Sequence, residues 1–254
     1  MALSEKAPAL RGAIKPFVPE PMRAAVRGLL YRKRFHLHPA FSRYLPREGY
    51  SILDWLAYEL HFHLWRLTVG RGCRLQRPIF MIGSPRSGTW LSVRLFACHP
   101  DVANFSEAQE IWDPYHYLDP DSEHHWTAKD VKREDVVRLH ARFEHYRRWE
   151  GRARFINKHP WSSVRIDYIR AIFPDAVFVH VIRDGRAVAA SMVESIRARP
   201  HLAHYPMLLE RPPNWRELVR EDKVEQVALQ WRAIVEYILS KRAELGTAYH
   251  EFKY

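Results

Sequence analysis

The chain has 254 residues, a formal net charge of +11, and 47% hydrophobic and 13% aromatic residues. That is enough apolar material for one sizeable α/β domain, and it excludes a disordered chain. Two cysteines, Cys73 and Cys98, exclude a disulfide framework and fit a reducing compartment, with Cys98 expected in the core.

Residues 1–75 read as a unit apart from 76–254. From Arg11 to Arg47 arginines and lysines stand against one acid, Glu20, and prolines 16, 19, 21, 39 and 46 interrupt any pattern. An amphipathic helix follows from Ser51 to Leu67. Ser51 and Asp54 have capping-box spacing. Ile52, Trp55, Leu56, Leu60, Leu64 and Leu67 recur at helical spacing, and Phe62 and Trp65 widen the stripe. A basic arm leading into such a helix could rest on an anionic bilayer as a peripheral contact. Packing against the sheet is the reading favoured here, because the charges precede the helix. No signal peptide and no spanning apolar run is visible, so the sequence predicts a cytoplasmic protein.

Ile79 to Ile82 is a short apolar run of buried-strand type. It breaks into Gly83-Ser84-Pro85-Arg86-Ser87-Gly88 and restarts as a helix from Thr89 to His99, stopped by Pro100. Strand, glycine-punctuated loop and helix N-terminus together form a phosphate cradle: backbone N–H groups face an anion and the helix dipole adds positive charge. The bland alternative is a tight turn. Gly83 and Gly88 have the spacing of the front half of a nucleoside-triphosphate P-loop, but Thr89-Trp90 replaces its Lys-Ser/Thr. The loop's cation is Arg86, a fork suited to a terminal phosphate or phosphosulfate. This favours an adenylate-type ligand without metal over ATP·Mg and counts against a kinase-like phosphotransferase.

Residues 119–150 are charged and mostly helical in pattern, an insertion suited to acceptor contacts. A short strand from Phe155 ends in Lys158, before His159-Pro160-Trp161 and a helix over Ser162–Phe173. Ala176 to Ile182 reads as a central strand. It leads through Arg183-Asp184-Gly185-Arg186 into a helix from Ala187 to Arg197, so a second strand delivers basic groups to a helix start. Asp184 is the expected cap there. Residues 201–216 form a candidate lid loop. A long helix runs from Trp215 to Leu245, and Ala248 to Tyr254 opens a last strand.

Pro85-Arg86-Ser87-Gly88-Thr89 resembles the 5′-phosphosulfate loop of sulfotransferases that use 3′-phosphoadenosine-5′-phosphosulfate (PAPS), in the version of the tyrosylprotein and bacterial branches. The resemblance covers Ile79 to Tyr254. It implies a P-loop-NTPase-like three-layer α/β fold, a mostly parallel sheet with helices on both faces, and sulfuryl transfer from PAPS to a hydroxyl or amine. It implies nucleotide contacts from Pro85, Arg86, Ser87, Gly88, Thr89 and Trp90. Family members usually have Thr or Ser where Trp90 stands, and its indole could lie near the nucleotide or pack in the core. Arg183 and Ser191 match the family's 3′-phosphate element, with Arg186 a weaker match. Lys158-His159-Pro160 fits the family's Lys-x-Pro, making Lys158 a catalytic cation beside Arg86, and no metal is implied. Trp231 matches an architectural tryptophan. An acid after the first helix sits beside the acceptor in these branches. Glu107 matches it best and is the expected catalytic base for the acceptor's proton, with Glu110 second and His159 third, while the plain reading of Glu107 is a carboxylate complementing a helix dipole.

In the family the last strand runs into an acidic-leucine turn, further helices and a segment over the nucleotide, so domain 76–254 is expected to be C-terminally incomplete. A member lacking activity, binding a nucleotide or a membrane, is the competing reading. The charge surplus suggests an acidic acceptor or surface, and no nucleic-acid-binding pattern is recognised.

Overall fold

The computed structural model describes residues 52–68, 70, 72–107, 109–114, 121–198, 207 and 209–254. The basic arm, Ser51 with its cap, and residues 201–206 lie outside the described residues. Contacts divide the chain into two compact units, Met1–His61 and Phe62–Tyr254, and everything that follows on the site concerns the second.

Helix α1 (Ile52–Leu67) departs from the expected stripe. Leu60, Leu64 and Leu67 are exposed, whereas Phe62 is buried. Phe62 and Trp65 lie 5.1 and 5.3 Å from the His145 ring, and the Arg142 guanidinium sits 3.6 Å over Phe62. Aromatic and cation–π packing, not the aliphatic periodicity, selects the buried side.

Five strands form one sheet: β1 (Ile79–Ile82), β2 (Val102–Ser106), β3 (Arg154–Lys158), β4 (Val177–Ile182) and β5 (Tyr249–Lys253). Their order is β2-β3-β1-β4-β5, and every pairing is parallel. Parallel pairing needs crossover helices, which cover both faces. Met81, Ile156, Val179 and Val181 point to one face and pack with Val93 of helix α2 (Thr89–Ala97). Phe80, Phe105 and Phe155 point to the other, among Phe143 of helix α4 (Arg133–Trp149) and Phe173. The expected three-layer α/β fold is therefore the observed one. Among the described residues between β2 and α4 lie a one-turn helix, α3 (Gln109–Trp112), and a 3-10 turn at Ala128–Asp130.

The expected helix over Ser162–Phe173 is a 3-10 turn (Pro160–Val164) followed by α5 (Ile166–Ile172). Helix α6 spans Gly185–Ala198. Helix α7 spans Lys223–Leu245 and is capped by Asp222, with a 3-10 turn at Trp215–Leu218 before it. Strand β2 is absent from the sequence reading, because Val-Ala-Asn-Phe-Ser is short and carries two polar residues. Cys98, expected in the core, is exposed at the end of α2. Among the described residues no helix is long and apolar enough to cross a membrane.

Phe143 has no exposed surface and stacks 4.8 Å from Phe155. Phe143→Ala should cost about 3–5 kcal/mol in urea denaturation. His180 of β4 is likewise buried, with its Nδ1 2.7 Å from the Tyr249 hydroxyl. Burial lowers its pKa from 6.5 to about 4, against an opposing pull from Glu251. Protonation thus favours the unfolded chain. The contribution is complete above pH 6.5 and is lost towards pH 4, about 3 kcal/mol in all. Denaturation midpoints between pH 7 and 4 should fall, and less steeply for His180→Phe.

Candidate active site at the carboxyl edge of the sheet

The loop after β1 begins at Gly83, where φ is 148° and a Cβ would sit 2.5 Å from the Val181 carbonyl oxygen. Only glycine lets the end of β1 lie this close to β4. One side chain holds both its backbone groups. The Gly83 N–H donates to Ser163 Oγ at 3.1 Å, and the Ser163 hydroxyl donates back to Gly83 O at 3.1 Å. Buried Pro85 precedes Arg86, whose left-handed φ of 69° throws its side chain outward. Ser87 closes the turn onto Ser84 O at 3.1 Å.

Gly88 starts α2 with φ 89°, and a Cβ there would meet the Tyr254 ring at 2.7 Å. The helix's first bond runs from the Ser92 N–H to Gly88 O, 3.0 Å, so the N–H groups from Gly88 to Leu91 have no intrahelical acceptor. Ser87 Oγ is buried without a hydrogen-bond partner among the described residues, and Thr89 is buried beside it. Trp90 is 54% exposed, with the Arg94 guanidinium 4.6 Å over its indole. Packing of this indole in the core is thus ruled out. Its backbone N–H is one of those at the helix start without an intrahelical acceptor.

The second basic element meets the first directly. Arg86 Nε donates to Ser191 Oγ at 3.0 Å, and Arg183 Nη1 donates to Arg86 O at 3.0 Å. Asp184 caps α6, accepting from the Arg186 N–H at 2.8 Å and the Ala187 N–H at 3.4 Å. Arg186 itself is turned to solvent and paired with Asp184, so the structure does not bring it to the cradle. The ring of Trp231 closes on Gly185, where a Cβ would approach it to 2.7 Å. This fixes the start of α6, the architectural part expected of it.

Lys158 ends β3 and is buried. Its ammonium is ion-paired with Glu107 Oε1, and the Glu107 N–H donates to Lys158 O at 2.8 Å. Glu107 lies one residue past β2 with φ 50°. The two residues clasp each other through side chain and backbone, so the Glu107 carboxylate serves Lys158 rather than a helix dipole. The Glu110 side chain lies outside the described residues.

His159 is buried, and its Nδ1 accepts from the Trp161 N–H at 3.2 Å. Burial, then Arg165, Lys158 and His124, hold its pKa well below 6.5. A ring kept neutral and committed to a cap is a poor proton acceptor for a surface-bound substrate. Behind it Arg165 is enclosed 3.5 Å over Trp126 and 4.8 Å from Trp161. Burial brings its pKa down to about 9, against Asp113 as the strongest opposing charge.

The described part of the expected lid is anchored. Trp161 Nε1 donates to Leu209 O at 3.0 Å, Gln230 Nε2 to Glu210 O and Arg211 Nη1 to Ser122 O, both at 2.5 Å. Three residues of the site escaped the sequence reading. Tyr254 lies against Gly88, and its ring faces the Arg183 guanidinium at 5.2 Å. Register could have found it, since Lys253 pairs with Ile182. Ser163 carries no signal. Glu210 does, as an acid in an apolar, proline-flanked run. Among the described residues no group of His, Cys, Asp and Glu is placed to hold a metal ion.

The family model described as the sulfotransferase family matches residues 78–251, more than half of the chain. A Caenorhabditis briggsae protein named for protein-tyrosine sulfotransferase activity is 30% identical over 121 residues, covering 46% of this chain and 42% of the relative. The chain thus matches less than half of that relative's length. Two solved structures are similar. The sulfotransferase domain from the curacin biosynthetic pathway is 14% identical, with a TM-score of 0.46 over 71% of this chain and 68% of the other. Sulfotransferase STF1 of Mycobacterium tuberculosis is 15% identical, with 0.44 over 85% and 74%.

Breaking the clasp should be costly. Glu107→Ala leaves a buried ammonium unpaired and should lower stability by about 3 kcal/mol in urea. The double variant Glu107→Gln/Lys158→Met should regain at least half of that loss.

Proposed function

We propose that this chain, which belongs to the sulfotransferase family, transfers a sulfuryl group from PAPS to a hydroxyl or amine of an acceptor. The observation that carries the donor assignment is the direct linkage of two anion-binding elements, Arg86 to Ser191 and Arg183 to the Arg86 carbonyl. A ligand bridging them needs anionic groups at two ends, which a 3′,5′-bisphosphorylated nucleoside has and AMP lacks. The buried, unpartnered Ser87 hydroxyl and the N–H groups at the start of α2 fit the 5′-phosphosulfate. Arg183 and Ser191 fit the 3′-phosphate, with the Tyr254 ring as an apolar wall beside them.

Bound PAPS supplies an activated sulfuryl group on a phosphate leaving group. The chain's own residues do the rest. Arg86 and the loop amides hold the phosphate whose oxygen gains charge as the S–O bond breaks. Lys158 neutralises charge on the sulfonate oxygens. Glu107 accepts the acceptor's proton as the new bond to sulfur forms. Pairing with Lys158 aims Glu107 at the same edge, and taking up the acceptor's proton frees the ammonium for the sulfonate. The acceptor's further chemistry is open, and the charge of +11 favours an acidic one.

Titration calorimetry with 3′-phosphoadenosine-5′-phosphate, AMP and ATP·Mg tests the donor. Selective binding of the bisphosphate is expected, and a preference for ATP·Mg would overturn the assignment. Arg183→Ala should weaken bisphosphate binding about a hundredfold, as loss of a charge-assisted pair implies. Lys158→Ala should lower turnover with labelled PAPS about a hundredfold or more.

A further inference from the structure

The leucines of α1 face outward. Leu64 and Leu67 are 56% and 64% exposed, and with Leu60 they recur at i, i+4 and i+7. The helix cannot roll to bury them, because its rings hold it. Phe62 is buried under the Arg142 guanidinium, and Phe62 and Trp65 both lie against the His145 ring. Packing, the reading favoured from the sequence, therefore accounts for the rings of α1 but not for its leucines. Exposed Val137 of α4 adds to the apolar surface, since it lines one surface groove with Leu67. The surroundings are basic. Arg66 and Arg74 line the same groove, and both are exposed. Arg74 is held there through its neighbour: the Leu75 N–H donates to His140 Nδ1 at 3.0 Å, and His140 Nε2 donates to Ile172 O at 3.0 Å. Between Glu59 and Asp101 the sequence has no acid, and Arg66, Arg71, Arg74 and Arg77 fall in or directly after the stripe. On α4 the exposed acid Glu134 follows Lys132 and Arg133.

We propose that this face docks on an anionic lipid bilayer, with Leu64 and Leu67 entering the boundary between headgroups and acyl chains and Arg66 and Arg74 meeting lipid phosphates. Charge and apolarity together select that occupant. A second copy of the chain would bring arginines against arginines. A nucleic acid would use the arginines and leave the leucines in water. A bilayer satisfies both, because arginine stems cover apolar surface while their guanidinium groups stay at the phosphates. The basic stretch from Arg11 to Arg47 precedes the helix in sequence and adds charge of the same sign. This surface is independent of the sulfuryl-transfer reading, so either can fail alone.

The test is sedimentation of the full chain with vesicles of phosphatidylcholine alone, and with vesicles of phosphatidylcholine and phosphatidylserine in equal parts. Wild type should bind the anionic vesicles at least about tenfold more tightly than the neutral ones. Leu64→Ser/Leu67→Ser should lose about tenfold or more of the binding to anionic vesicles. Leu95→Ser, which removes a leucine of matching exposure (65%) from α2, should bind like wild type. Arg66→Gln/Arg74→Gln should lose about tenfold on anionic vesicles and little on neutral ones, which separates charge from apolar contact. All five side chains are exposed, so the thermal melts of these variants should stay near that of wild type. Undiminished binding by Leu64→Ser/Leu67→Ser would mean that charge elsewhere carries the attraction, and would overturn the proposal. An equal loss in Leu95→Ser or the absence of any preference for anionic vesicles would do the same. So would self-association without lipid that Leu64→Ser/Leu67→Ser abolishes, since the face would then belong to a second copy.

Discussion

Parallel pairing is the constraint from which the site follows. With all five strands pointing one way, their carboxyl ends lie along one edge, and each delivers one component there. The Gly83 loop follows β1, Glu107 follows β2, Lys158 ends β3, Arg183 follows β4 and Tyr254 follows β5. Register then sets the contacts: Ser106 pairs with Lys158 and Lys253 with Ile182, so the acid meets the ammonium and the aromatic ring meets the guanidinium. An antiparallel neighbour would have sent its functional end to the opposite side.

The site is polar and much of it is buried, which usually costs stability unless every group has a partner. Here partners are shared economically. Ser163 serves both backbone groups of Gly83, and Glu107 serves Lys158 through its side chain and its backbone. Aromatic faces do part of the remainder, with Trp126 and Trp161 enclosing Arg165. A weakly hydrated guanidinium tolerates such a sandwich better than an ammonium would.

The two elements proposed to bind anions were legible as local structure in the sequence because each compresses a strand, a glycine-bearing turn and a helix start into a few residues. Lys158 was legible from its place at a strand end. The Glu107–Lys158 pairing was not, since it depends on β2, a strand too short and too polar to announce itself. Ser163 and Tyr254 are joined to the cradle only through tertiary contacts, and periodicity carries no information about those. The buried face of α1 was misread for a related reason. Aliphatic spacing marks an apolar stripe, whereas His145 and Arg142 of α4, invisible to local pattern, decide which rings are covered.

The central position of β1 has a kinetic consequence. Its neighbours begin at Arg154 and Val177, so no strand pairing of β1 can form between segments adjacent in the chain. The bonds that shape the loop are equally remote, spanning 80 residues between Gly83 and Ser163 and 97 between Arg86 and Arg183. Loop closure on that scale comes before any reward from contact, which makes folding slow and places these bonds among the late ones. During synthesis the cradle's sequence leaves the ribosome long before the partners that give it shape. Until then Ile79 to Ile82 is an unpaired apolar strand with open edges, and the nascent chain is most exposed to wrong association in that interval.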